Sequence, residues 1–256
     1  MYSIQVMSVT HINHFFPVSA SDQMLFPNDI EGVLLETHFT LDMLALAGEF
    51  RQKVIMKGLT RFSRESTAWR RPVKAERVIL VVGQVESDPS LKHGSQSIRT
   101  NLGLLQAVCR ANADAYIVYK PHPAVLADMQ LGSNAYQEAY QWFDEIVGDA
   151  TLCQLLPKIN EVHVMSSLAG FEALLRGKKV SCYGHSFYAG WGLTHDRVPM
   201  PNRPRQLSVD ELVAGAMYCF PRYMSRLAGK VTTADEKSAF IHRPWRSGLA
   251  QAAAGA

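Results

Sequence analysis

Apolar and polar positions change their rhythm along this chain, and each change marks an element. The run VILVVG that follows Arg77 is continuously apolar and β-branched, which is the signature of a strand buried on both faces of a parallel sheet. Glu161 to Met165 alternates as a short strand should, and the apolar spacing Leu168, Phe171, Leu174, Leu175 then predicts a helix, with Ser166-Ser167 placed to cap it. Gly177 stops that helix after Arg176, and Val180 to Tyr183 starts another strand, so Glu161 to Gly184 reads as one βαβ unit. Ala115 to Tyr119 is a further strand. Ile98 to Arg110 and Thr151 to Leu156 read as helices, the second with Asp149 as its candidate cap.

Outside these units the pattern is weaker. Residues 1 to about 27 make no complete strand–helix–strand unit and are broken by Pro17 and Pro27. Asn28 to Phe62 has helical spacing at Ile30, Val33, Leu34, Leu41, Leu44, Leu46, Val54, Ile55 and Leu59, enough for two helices capped from Asn28. Ser63 to Glu76 is polar, basic and proline-bearing, and reads as a solvated linker. Residues 124 to 148 read as a polar loop followed by an aromatic helix (Tyr136, Tyr140, Trp142, Phe143) used for packing. GHSFYAGWGLTHD after Tyr183 holds three glycines and, counting Tyr183, four aromatics without helical period, a loop able to line a sugar pocket. NRPRQLS is a basic turn; Ser208 with Glu211 forms a capping box for a helix through Tyr218 that Pro221 ends or kinks. The end, IHRPWRSGLAQAAAGA, reads as a frayed tail whose Arg/Trp cluster could touch anionic lipid.

The resulting division is a helical segment and linker over 1–76, a Rossmann-like domain over 77–223 and a tail over 224–256. With 256 residues, 47% apolar and 19% charged, the chain can bury a sizeable core and has no disordered or fibrous composition. A net charge of +3 suits an anionic ligand but is too small to argue for nucleic acid. Cys109, Cys153, Cys182 and Cys219 are far apart in apolar segments and are expected to be core thiols in a reducing compartment, neither disulfide-linked nor zinc-bound. No signal peptide and no run of about 20 apolar residues is present, so a cytoplasmic protein, at most peripheral to a membrane, is expected. Dinucleotide, P-loop, serine-hydrolase and zincin motifs are absent.

Candidate chemistry gathers where strands end, the edge at which open α/β sheets bind ligands. The first strand runs into a loop carrying Gln84, Glu86, Asp88, Lys92, His93 and Ser95, in which two carboxylates stand near a lysine and a histidine. The second runs into Lys120-Pro121-His122-Pro123, where prolines on both sides fix the imidazole direction beside a lysine, a donor pair suited to phosphate oxygens. The third ends in Ser166-Ser167, whose hydroxyls and following backbone N–H groups offer an anion site. Each has a bland alternative: a solvent loop, a structural histidine and a plain helix cap.

VVGQVESDPS, YIVYKPHP, EVHVMSSLAGFEALLRGKKVSCYGHSFYAGWGLTHD and LSVDELV together resemble the KpsC/LipB family of capsule polysaccharide biosynthesis proteins over about Arg77 to Tyr223. The resemblance implies a retaining, metal-independent β-Kdo glycosyltransferase of GT-B type that moves Kdo from CMP-Kdo, its donor substrate, to a lipid-linked saccharide acceptor. It needs no cofactor. It places Asp88 at the reaction centre, with Glu86 as the alternative catalytic carboxylate and Gln84 beside them. It gives the departing phosphate to Lys120, His122, Ser166 and Ser167, and the ribose hydroxyls to Glu172. One departure stands out: ahead of Arg77 there are about two helices instead of an acceptor-binding Rossmann half. The chain is therefore expected to be a donor-binding half, acting with a missing N-terminal half or within a capsule assembly complex, on the inner face of the inner membrane. Two other readings remain: a non-catalytic capsule assembly or export protein that binds a nucleotide or partner, and a nucleotide-sugar epimerase or hydrolase.

Overall fold

A computed structural model describes residues 30–60, 68–88, 91, 97–131, 134–220, 223–224 and 231–232. The expectations for Asn28, Lys92, His93, Ser95, the Tyr136 side chain, Pro221 and the tail from Ile241 lie outside the described residues. Six strands form one sheet: β1 (Val78–Val82), β2 (Tyr116–Lys120), β3 (Glu145–Ile146), β4 (Glu161–Val164), β5 (Lys179–Cys182) and β6 (His195–Asp196). Their order is β3-β2-β1-β4-β5-β6 and every neighbouring pair is parallel. This is a Rossmann-like, doubly wound α/β sheet whose strand order reverses between β1 and β4. Tyr223–Met224 and Val231–Thr232 pair separately as a short antiparallel ribbon.

The continuous apolar run of β1 is explained by helices on both faces. Val78, Leu80 and Val82 join one core with Val118, Val162, Val164, Val180 and Cys182, while Ile79 and Val81 join a second with Ile117 and Tyr119. Helix α3 (Asn101–Ala111) packs Leu104, Leu105 and Val108 into the second core, together with Val125 and Met129 of α4 (Pro123–Gln130). The first core is covered by α6 (Ala169–Leu175) and by α1 (Ile30–Glu36), α2 (Leu41–Met56), α5 (Leu152–Leu155) and α7 (Val209–Ala214). The Ser208–Glu211 capping box forms as expected, and α7 widens into a π-helical turn over Gly215–Cys219.

The expected helices of the N-terminal segment are present as α1 and α2, and they share the first core with α7. Arg51 grips Asp210 through both its Nε (2.8 Å) and Nη2 (3.4 Å). The basic turn has a structural use. Arg205 Nη1 donates to the carbonyls of Leu34, Leu35 and Thr37 at the end of α1, groups that lack intrahelical donors, while Arg203 bridges the Ser186 and Ala189 carbonyls to Glu31.

Several expectations are corrected. The stretch 68–76 is largely exposed, as a linker should be, but it is pinned to the domain: Trp69 is buried with its Nε1 donating to Glu145, and Arg71 donates to the carbonyls of Lys158, Ala75 and Glu76. Residues 124–148 begin with most of α4 where a polar loop was expected; the expected aromatic helix is present as a 3-10 run over Asn134–Trp142, and β3 follows it. Thr151 stands at the cap of α5, its N–H donating to Gln154 Oε1, and Asp149 does not. Cys182 is a buried core thiol, whereas Cys219 is exposed. Tyr188 and Trp191 of the long glycine-rich loop are fully buried against Phe171 and the sheet, so they support the loop from beneath and do not line a pocket. Among the described residues no helix is long and apolar enough to cross a membrane.

Candidate functional site

The register brings the strand ends level. Val82 pairs with Lys120 and with Val164, and Val164 with Cys182, so the loops that begin at Gly83, Pro121, Met165 and Tyr183 leave one edge together. The switch point lies between the first and third of these, where no crossover helix fills the crevice.

Gln84 and Ser166 meet across it. The Gln84 Nε2 donates to Ser166 Oγ at 3.2 Å, and the Ser166 N–H donates to Gln84 Oε1 at 3.4 Å. Gln84 is buried and Ser166 half-buried. Ser166 is thus committed to the crevice, and neither serine holds the expected cap position: the N-cap of α6 is Leu168, with no side-chain cap, and Ser167 Oγ accepts from Ala169 N–H at 3.3 Å one residue before it. The carbonyl of Ser167 accepts from the Tyr188 hydroxyl, which anchors the turn to the core. Helix α6 has only seven residues, so its dipole is short and the hydroxyls matter more than the helix end.

The loop after β1 is organised by a residue the sequence reading missed. Asn101, the first residue of α3, is 2% exposed, and its Oδ1 accepts from Gln84 N–H at 2.8 Å while its Nδ2 donates to the Gln84 carbonyl at 2.9 Å. Glu86 Oε1 accepts from Asn101 N–H (2.7 Å) and Nδ2 (3.1 Å). The helix expected from Ile98 starts instead at Asn101, behind a Thr100 N-cap, and nothing in the local sequence separates a buried clamp from a solvent-facing residue there. Gly83 fits the same design: a Cβ on it would stand 2.7 Å from the Tyr119 hydroxyl and 3.1 Å from Asn101 Oδ1. Asp88 is half-buried in the tight turn that follows, its N–H donating to the Val85 carbonyl at 3.0 Å.

On the neighbouring strand, Lys120 Nζ donates to the Gly148 carbonyl at 3.2 Å, and its pKa is lowered by burial, partly offset by the charge of Asp149. His122 is the N-cap of α4, with Pro123 in the first turn, and its Nδ1 accepts from Ala124 N–H at 3.2 Å. That bond puts the proton of the neutral imidazole on Nε2, which makes this nitrogen a donor. Glu172 is 3% exposed, on a helix buried along its whole length. The structure therefore joins Gln84 to Ser166 directly and Glu86 to Gln84 through Asn101, sets Lys120 and His122 at the end of the adjacent strand, and holds Glu172 within α6. Among the described residues no group of three or more His, Cys, Asp or Glu side chains could hold a metal ion.

A doubly wound parallel sheet with polar side chains gathered at its switch point defines a Rossmann-like α/β fold, here of the kind found in GT-B enzymes. Residues 38–225 match the family described as capsule polysaccharide biosynthesis protein, and the chain belongs to that family. It is 38% identical over 217 residues to the capsule polysaccharide modification protein LipA of Neisseria meningitidis serogroup A, covering 85% of this chain and 31% of LipA. It is 41% identical over 154 residues to the lipopolysaccharide-processing protein LpsZ of Rhizobium meliloti, covering 60% of this chain and 35% of LpsZ. The chain thus spans about a third of the length of these relatives. The structure of Thermosulfurimonas dismutans KpsC, a beta Kdo 2,7 transferase, superposes with a TM-score of 0.69 at 39% identity, covering 84% of this chain and 67% of that one. A beta Kdo 2,4 transferase structure from the same organism's KpsC shares the fold at 24% identity, with a TM-score of 0.70, covering 89% of this chain and 70% of that one.

Proposed function

We propose that this chain is the donor-binding part of a retaining β-Kdo glycosyltransferase of capsule biosynthesis, holding CMP-Kdo at the carboxyl edge of the sheet without a metal. The observation that carries the reading is the Gln84–Ser166 bridge across the switch point, with Lys120 and His122 ending the next strand. The likeness to a beta Kdo 2,7 transferase at 39% identity supports the sugar. In the proposed double displacement, an Asp88 carboxylate oxygen attacks the anomeric carbon while the bond from that carbon to the CMP phosphate oxygen breaks, its electron pair leaving with the phosphate. Lys120, the His122 Nε2–H and the hydroxyls of Ser166 and Ser167 stabilise the departing charge. A hydroxyl of the lipid-linked acceptor then attacks the glycosyl ester, loses its proton and regenerates the carboxylate. Glu172 is assigned to the ribose side. An acceptor half supplied by further chain or by a partner completes the cleft, since transfer requires both substrates within reacting distance. The reading places the protein in the cytoplasm, peripheral on the inner face of the inner membrane where its acceptor lies.

Calorimetric titration with CMP and with UDP tests the donor site. CMP is expected to bind and UDP to bind more weakly. Because His122 also caps α4, His122→Ala alone would confuse binding with stability, so His122→Asn, which preserves an N-cap acceptor, is the informative variant. Both variants should lose CMP affinity at least about tenfold, the loss of one good charge-assisted hydrogen bond, while the Asn variant keeps its melting temperature. Wild-type affinity in His122→Asn would leave His122 as a cap only, and no CMP binding by the wild type would overturn the donor-site reading.

A further inference from the structure

We infer that Glu86 is a positioning residue and that Glu86 and Asn101 form a clamp which aims Gln84 at Ser166. The assignment rests on the proposed nucleotide site, which it deepens by separating the roles of the two carboxylates in that loop. Glu86 Oε1 takes both hydrogens that Asn101 presents on that side, at 2.7 and 3.1 Å, and its charge sits at the start of the eleven-residue α3, where a carboxylate strengthens both bonds. Asn101 in turn closes a two-bond ring on the Gln84 backbone, donor to carbonyl and acceptor from N–H. A main chain fixed on both sides holds the Cα–Cβ bond of Gln84 in place, and from there the side chain reaches across the crevice to Ser166.

The geometry explains why this ring is built of an amide and a carboxylate. Asn101 is 2% exposed and Gln84 8% exposed, so neither can rely on solvent to satisfy its polar groups. Gly83 must stay small because a side chain there would enter the space between Tyr119 and Asn101, so the clamp reaches the backbone without an intervening Cβ. Glu86 acts through Asn101 and Gln84, and needs to accept hydrogen bonds without donating or exchanging a proton. Asp88, two residues on and bonded through its backbone to Val85 and Leu91, is then the carboxylate left for the reaction centre.

A glutamine at position 86 can still accept both bonds through its amide oxygen, whereas alanine cannot, and this separates a clamp from an acid or base. Two readouts are paired on the full chain. Backbone amide exchange at Gln84 and Asn101 should speed up at least about tenfold in Glu86→Ala, return to within about threefold of wild type in Glu86→Gln, and stay unchanged in β5 in both. CMP affinity should follow the same order, and the double variant Glu86→Ala/Asn101→Ala should bind no worse than Asn101→Ala alone, since both act on one ring. Unchanged exchange in Glu86→Ala, or a Gln variant as impaired as the Ala variant, overturns the clamp. Exchange that responds as expected in a chain that binds no CMP supports the clamp and sinks the nucleotide reading instead.

Discussion

Replacing Gly170 with alanine is expected to lower the free energy of unfolding by about 2 kcal/mol, although the substitution lies within a helix and would be favoured by propensity alone by up to about 1 kcal/mol. The reason is Tyr188. A Cβ at position 170 would come within 2.8 Å of two ring carbons of Tyr188 and closer still to its hydroxyl oxygen. The ring cannot swing away: Tyr188 is fully buried, its edge packs on Phe187 at 5.2 Å, and its hydroxyl is bonded to the Ser167 carbonyl. Relief must come from moving α6 away from the loop or from breaking that buried hydrogen bond, which costs about 1–3 kcal/mol. Either route disturbs the turn that holds Ser166 and Ser167, so ligand binding should weaken with stability. Urea denaturation of Gly170→Ala, Tyr188→Phe and the double variant checks this. Removing the hydroxyl should recover part of the loss, giving a coupling of about 1 kcal/mol or more, and an alanine variant as stable as wild type would show that the loop yields freely.

The elements that sequence made legible are those whose burial leaves a one-dimensional trace. VILVVG is apolar at every position because β1 has a core on each side, and Glu161 to Tyr183 carries strand, helix and stop signals in order. β3 and β6 left no such trace, because two residues cannot show a period and their pairing depends on strands elsewhere in the chain. The site was legible one strand end at a time. Gln84 and Ser166 are 82 positions apart, and only the order β1-β4 makes them neighbours. Long-range polar partners were hidden for the same reason: Arg203 and Arg205 look like a solvent-facing basic turn until α1 is placed beside them, and Trp69 looks like part of a linker until Glu145 appears opposite its indole. The fate of the two serines was also a tertiary matter. Either Ser166 or Ser167 could cap α6 locally, yet the N-cap is Leu168, and Ser166 is turned to Gln84 across the crevice.

Acidification should destabilise the protein in two stages, and the first belongs to His163. This imidazole lies on β4, 1% exposed, with Nδ1 at 3.3 Å from the Tyr183 hydroxyl and Nε2 at 3.5 Å from Glu161 Oε2. Burial lowers its pKa from 6.5 to about 4, a shift that Glu161 opposes and that Arg197 and Arg77 reinforce. Below pH 6.5 the unfolded chain therefore takes up a proton that the folded chain refuses. Stability is full above that value and falls progressively as the pH drops toward 4, by up to about 3 kcal/mol in all. Glu161 follows at lower pH. Its carboxylate is held below the ordinary value of 4.5, first by the hydrogen bond from Arg77 Nε at 2.9 Å, so its contribution is present above 4.5 and is lost only below it. Equilibrium denaturation of wild type and His163→Asn between pH 8 and pH 4 separates the two stages. The asparagine variant should be less stable at neutral pH, because it gives up packing against Tyr183, yet nearly flat between about pH 6.5 and pH 4.5 where wild type declines. Profiles that fall in parallel would place the acid sensitivity elsewhere. A difference that grows toward neutral pH is what a neutral histidine, buried on the sheet and shut off from solvent protons, must produce.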